Sequence, residues 1–335
     1  MKWNPSSFIL GISFSIFLSS LGYAQGGQVG TNLNAFKVWL DVASSSVLPI
    51  LPIQGALHIK NSSASPVTVR LSPGTQISFK LGNGEWRPYH PDGVPIATPA
   101  PPREFRFLAG QQVDFPIYVD STLNGPGADL TANPGVMQIR ASWGPFQTAP
   151  ATITVLRPSG EDLAAYEELK RSGVSKFFRT DFVDRYLESD QTREVSRTLA
   201  KNANDESYFE RINREQATWI AKSASAEGEL RAFISSHPGS TYANHARLAL
   251  AQMAIEGTSG ASDTKKAREI LTEMRKQNEL FSEATHYLGR LAAKEGNQTQ
   301  AAAYFQETAE KGRNPYYKAM ASRHLEHIKN TRQPK

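Results

Sequence analysis

Apolar residues follow two different periods along this chain, and the change between them falls near Arg157-Pro158-Ser159-Gly160. Before that point, short runs alternate apolar and polar positions, as strands do when one face is buried. Phe36–Val42, Ala56–Asn61, Val67–Leu71, Gln76–Leu81, Phe105–Leu108, Val113–Val119, Gly135–Trp143 and Ala151–Val155 are the predicted strands. Turn residues such as Ser62-Ser63-Ala64-Ser65-Pro66 and Gly82-Asn83-Gly84 separate them. Strands this short and this frequent predict a β-sandwich over residues 25–157. Beyond the boundary the chain is rich in Ala, Glu and Lys, and its apolar residues recur every three or four positions, which predicts helices throughout.

Ser159 is placed to cap the first of these helices, with Glu161 and Asp162 at its positive end and Leu163, Tyr166 and Leu169 on its expected buried side. Phe178, Phe182 and Tyr186, then Tyr208, Ile212, Trp219 and Ile220, mark further helices within 158–223, a helical linker or first set of hairpins. Aromatic residues at this spacing are core-forming. Residues 224–335 form the third part. There Phe233-Ile234 runs into His237-Pro238-Gly239-Ser240, where proline and glycine end one helix and Ser240 or Thr241 caps the next. Ala246, Ala249, Leu250 and Met253 give that next helix a narrow apolar face that needs a neighbour. Ala267 and Leu271 recur thirty-four residues later as Ala301 and Phe305.

That period, and the linker pattern from Phe233 to Ala246, resemble the tetratricopeptide-type repeats of bacterial envelope proteins over about Ala224–Lys329. Leu288-Gly289, Gly296, Ala301 and Phe305 sit at the large, small, turn, small and large positions of such repeats. Thr285 and Ala292 depart from it, standing where the family usually has large aromatics. In the first half, the segment around Asn61 and Ser63 followed by Pro66-Val67, the Leu108-x-Gly110-Gln111 turn and the Gly135–Ala141 run resemble bacterial extracellular immunoglobulin-like modules. The fold class expected is therefore multidomain β plus α, an Ig-like sandwich followed by a degenerate TPR-like solenoid.

Residues 1–24 read as a secretory signal peptide: Lys2, an apolar run from Phe8 to Leu21, and small residues at Gly22 and Ala24 ahead of Gln25. The run is short for a membrane span, which takes about 20 residues, so no integral span is expected after cleavage. With no cysteine there is no lipidation thiol, disulfide or zinc–thiolate site, and a soluble protein of the periplasm or outside medium is expected. The 37 Lys and Arg are nearly balanced by 32 Asp and Glu, with no basic run, so nucleic acid is not an expected partner.

Catalytic motifs are incomplete. His324 and His327 share a helix face without the H-E-x-x-H pattern and read as solvated. Glu283-x-x-His286 is half of a di-iron carboxylate motif with no second copy. Ser262-x-x-Lys265 lacks the companion motifs of penicillin-recognising enzymes, and Ser262 stands where a helix cap is due. No enzyme, metal or cofactor is expected. The resemblance instead places partner-facing positions on the first helix of each hairpin, at Asn244 and Arg247 and then Glu283, His286 and Arg290. It implies capture of a peptide segment of another envelope or secreted protein. The alternatives are an accessory subunit of an envelope complex, or glycan binding at the proline-rich insert 86–103, where Trp86, Tyr89 and His90 offer rings for stacking. The plainer expectation for that insert is an edge loop with its aromatics tucked against the sandwich.

Overall fold

The computed structural model describes residues 33–71, 76–89, 103–119, 134–172, 226–256 and 263–332. The expected signal peptide, His90 with the prolines that follow it, the aromatic stripe from Phe178 to Ile220, and Ser262 lie outside the described residues. A β-rich N-terminal region is followed by a helical C-terminal region, and no described helix is long and apolar enough to cross a membrane.

Strands β1 (Phe36–Val42), β3 (Ile53–Asn61) and β8 (Gln112–Val119) form one antiparallel sheet in the order β1-β3-β8. A second sheet runs β2-β11-β9-β5-β6, from β2 (Ser46–Val47), β11 (Ala151–Val155), β9 (Gly135–Trp143), β5 (Gln76–Leu81) and β6 (Arg87–Pro88). Its β2–β11 pair is parallel, and β10 (Phe146–Gln147) folds back on β9. Strands β4 (Val67–Leu71) and β7 (Arg103–Phe107) pair separately. Alternation sends Leu57 and Ile59, Phe79, Ile117 and Val119, Met137 and Ile139, and Ile153 into one shared core. Trp143 closes it, with its ring 4.8 Å from those of Phe105 and Phe115.

Two of the sequence fragments in this region have a physical explanation. The fully buried Asn61 amide donates to the carbonyls of Ser65, Phe107 and Leu108 at 2.9, 3.2 and 3.0 Å, while its oxygen accepts from the Ser63 backbone at 3.0 Å. One side chain thus holds the β3–β4 turn against the end of β7. Gly110, at φ +71, reverses the chain so that Gln111 accepts from the Leu108 N–H at 2.8 Å.

The helices are α1 (Gly160–Ser172), α2 (226–236), α3 (Thr241–Glu256), α4 (Thr264–Lys276), α5 (Phe281–Lys294), α6 (Gln298–Lys311) and α7 (Pro315–Arg332). From α3 to α7, neighbours in sequence pack on one another; α5 also touches α3 and α7, so these three share a layer with α4 and α6 behind. Ser240 caps α3 by accepting from the Ala243 N–H at 3.1 Å. Asp162 adds a cap from α1, accepting from the Thr241 N–H at 2.7 Å, and Glu161 accepts from the Gly239 N–H at 2.8 Å. The cap of α4 comes from Asp263, which accepts from the Lys266 N–H. On α1, Ala165 and Leu169 are buried but Leu163 is 45% exposed, contrary to its expected place on the inner face. The thirty-four-residue recurrence holds in packing: Ala267 and Leu271 on α4, and Ala301 and Phe305 on α6, are all buried. Gly289 is required by close approach, since a Cβ there would lie 2.7 Å from the Phe305 ring.

Candidate functional site

The layer formed by α3, α5 and α7 does not face solvent at its junction with the β-region. Strands β8 and β3 lie against α7, and the Tyr118 ring packs at a tilt, 5.6 Å from that of Tyr316. The turn before β3 inserts Leu51 among Ala165, Leu230, Phe233 and Tyr242, and the Tyr242 hydroxyl donates to the Pro49 carbonyl at 3.0 Å. At the centre of the junction the Asn314 amide donates to Gln54 Oε1 at 2.7 Å and to Glu283 Oε1 at 2.8 Å.

This contact corrects the expectation for α5, whose polar residues were placed on an open groove. His286 is fully buried among the rings of Tyr287, Phe305, Tyr317 and His324, and burial carries its pKa well below the usual histidine range. Arg290 is 6% exposed with its guanidinium over the Tyr287 ring at 5.0 Å. Burial pushes the Glu283 carboxyl up to about 7, against the hydrogen bond from Asn314. His324 is not solvated either: it stacks on Phe305 at 4.6 Å, and burial brings it down to about 3. His286 and His324 are enclosed by rings of α5, α6 and α7, and the β-region reaches Glu283 through Gln54 and Asn314.

Asn244 and Arg247 are placed differently. They line a cleft of about 720 Å³ between α2, α3 and α4. Its apolar lining is Ile234, Leu250, Ile270 and Met274; its polar lining includes Arg231 from α2 and Glu269 and Glu273 from α4. Arg247 Nη1 donates to Asn244 Oδ1 and Nη2 to the Pro238 carbonyl, both at 2.7 Å, so the guanidinium is fixed against the cleft wall. Burial lowers the Arg247 pKa, while the charge of Glu161 acts in the opposite direction. Arg231, Glu269 and Glu273 were missed by sequence reasoning. Their signal was present: Glu269 and Glu273 stand beside Ile270 and Met274 one turn apart, which puts an acidic edge along an apolar strip.

The stacking surface expected at the insert is partly used up. Tyr89 lies in the β-core, and Trp86 covers the Arg140 guanidinium at 4.2 Å with Lys80 at 5.6 Å. A second polar cluster surrounds His58, whose Nδ1 is 2.7 Å from Asp114 and whose Nε2 is 3.2 Å from Asp41. Burial opposes ionisation of Asp114, but the hydrogen bonds from His58 and Gln112 hold its carboxyl below the usual range. Only Nδ1 is hydrogen-bonded to a carboxylate, and Nε2 is buried without a hydrogen-bond partner among the described residues. Among the described residues no group of three or more His, Asp and Glu is arranged to hold a metal ion.

No family model and no curated protein matches the chain. Among solved structures, an alkylpurine DNA glycosylase of Pseudomonas fluorescens aligns at 12% identity over 37% of this chain and 31% of its own, with a TM-score of 0.26. The sporulation control protein Spo0M of Bacillus subtilis aligns at 15% over 41% of this chain and 55% of its own, with a TM-score of 0.24. A β-glucosidase of Erythrobacter marinus aligns at 11% over 36% of this chain and 15% of its own, with a TM-score of 0.23. The chain thus spans well under two thirds of each, and likeness at this level carries no argument about fold or activity.

Proposed function

We propose that this chain is a non-enzymatic exported protein of a bacterial envelope, in which an Ig-like β-sandwich carries a short array of tetratricopeptide-type hairpins. The array captures a peptide segment of another exported or envelope protein. The observation that carries this reading is the cleft between α2, α3 and α4: an apolar floor beneath walls of both charges, large enough for several residues of extended chain. The buried thirty-four-residue recurrence supports the repeat assignment, and the core shared by the sheets supports the sandwich. Filling of the α3–α5–α7 layer by the β-region directs the proposed partner surface to the α2–α4 side.

The test is equilibrium binding of a synthetic octapeptide library, with a glycan panel alongside. Peptide binding that weakens about tenfold in Arg247→Ala, the scale of a lost charged hydrogen bond, is the expected result. A library without any binder, on protein with an unchanged melting temperature, sinks the reading. Glycan binding abolished by Trp86→Ala would move the function to the β-region.

A further inference from the structure

The charges around the cleft are not all matched within the protein. Arg231 pairs with Glu227 at 2.7 Å, and Glu273 pairs with Lys276 at 2.6 Å. Arg247 has neutral oxygens as its two bonded partners, and among the described residues no carboxylate lies within ion-pair distance of it. The Glu161 carboxylate, bonded to the Gly239 N–H, acts on Arg247 through its charge without forming an ion pair with it. On the α4 wall, Glu269 is exposed and likewise has no bonded cation among the described residues. A cation and an anion, neither in an ion pair among the described residues, therefore line different walls of a cleft floored by Leu250 and Ile270.

We infer that the cleft reads charge order in an extended peptide: a carboxylate beside Arg247, an apolar side chain over Leu250 and Ile270, and a cationic side chain beside Glu269. The inference rests on the peptide-capture reading above and adds the chemistry of the peptide. A guanidinium already held by Asn244 and Pro238 has lost its rotamer freedom before binding, so a carboxylate that meets it gains a charge-assisted bond at little entropic cost. A peptide in the wrong order sets like charges against each other on both walls, and that repulsion supplies discrimination. Pairs so near the surface are screened by salt, which makes the preference dependent on ionic strength.

The probes are fluorescein-labelled, end-blocked pentapeptides Glu-Ala-Leu-Ala-Lys, Lys-Ala-Leu-Ala-Glu and Gln-Ala-Leu-Ala-Gln, read by anisotropy on the full chain. The expected result is that one charge order binds at least tenfold tighter than the other. Glu269→Gln, an exposed change that leaves the melting temperature in place, should cut that preference below threefold. The double reversal Arg247→Glu with Glu269→Arg should invert it. Equal binding of the two charged peptides, or a preference untouched by Glu269→Gln, overturns the charge-order inference while peptide capture stands. Absence of binding by all three and by the wider library overturns both.

Discussion

Replacing Gly289 with alanine separates two opposing effects whose sizes can be compared in advance. In an exposed helix interior the change is favourable by about 1 kcal/mol, because glycine has the larger backbone entropy to lose. At Gly289 the new methyl would sit 2.7 Å from Phe305 Cε1 and 2.8 Å from Cδ1. The ring cannot swing aside, since Phe305 is 1% exposed and stacked on His324 and packed by His286. Overpacking of a closed core costs about 1–3 kcal/mol and outweighs the propensity gain. Gly228→Ala in α2 is the matched control, because a Cβ there meets nothing within 4 Å. Urea unfolding should show Gly228→Ala stabilised by several tenths of a kcal/mol and Gly289→Ala destabilised by up to about 2 kcal/mol. Adding Phe305→Leu should recover part of the second loss, giving a coupling of about 1 kcal/mol in the double-mutant cycle. If Gly289→Ala stabilises as much as the control does, α5 and α6 do not approach each other as described and the argument fails.

Other measurements bear on the junction between the two regions. Ile50 holds a φ of +71 in the turn before β3, where a side chain costs about 1–2 kcal/mol, so Gly at this position should be more stable than Ala by about that amount, the reverse of the usual order; urea midpoints of Ile50→Gly and Ile50→Ala decide it. Glu283, raised from 4.5 to about 7, keeps its proton when folded, so stability is intact below about pH 4.5, falls as pH rises and stays lower above 7. That shift is worth about 3 kcal/mol. Subtracting the profile of Glu283→Gln isolates it from the buried His286 and His324, which lose stability as pH falls below about 6.5; a flat difference between pH 4 and 8 would refute the assignment. Asn314→Ala removes the bonds to Gln54 and Glu283 and should cost about 1–3 kcal/mol by thermal or chemical unfolding, whereas a change under 0.5 kcal/mol would mean that the bridge is idle.

The longer elements were legible because they obey a local period, whereas the two-residue strands β2, β6 and β10, too short to show one, were not foreseen. Strands β1, β4, β5, β9 and β11 begin and end where the alternation does, and the His237–Ser240 turn falls where proline and glycine must break a helix. What was not legible is the covering of one region by the other. Gln54 and Asn314 are 260 residues apart, and no periodicity within either segment announces the bond between them. The repeat resemblance put Glu283, His286 and Arg290 on a partner-facing groove; the structure buries His286 and Arg290, with Phe305, Tyr317 and His324 packed around His286, and ties Glu283 through Asn314 to Gln54.

A weaker signal for that burial does exist, and it lies in the residues beside the polar ones. The face of β3 that turns away from the β-core carries Gln54, Ala56 and His58, with a lysine only at Lys60 near the strand's end; a solvated strand face would be expected to carry more charge. Ala56 is fully buried and His58 is 8% exposed, so both faces of this strand are covered along most of its length. On α5, Thr285 and Ala292 replace the large aromatics of the resembling repeats and are themselves fully buried, in a helix where Gly289 already admits Phe305. Small residues where large ones are customary leave space that other side chains must fill. Around Ala292 the fill comes from Phe305, Ala321 and Ile328, while Phe305, Tyr317 and His324 pack His286, and the β-region enters through Gln54, which Asn314 links to Glu283. A weakly charged outer strand face thus signals a cover from elsewhere in the chain, which α7 supplies against β3 and β8, and the small residues of α5 signal the close packing of α6 and α7 upon it.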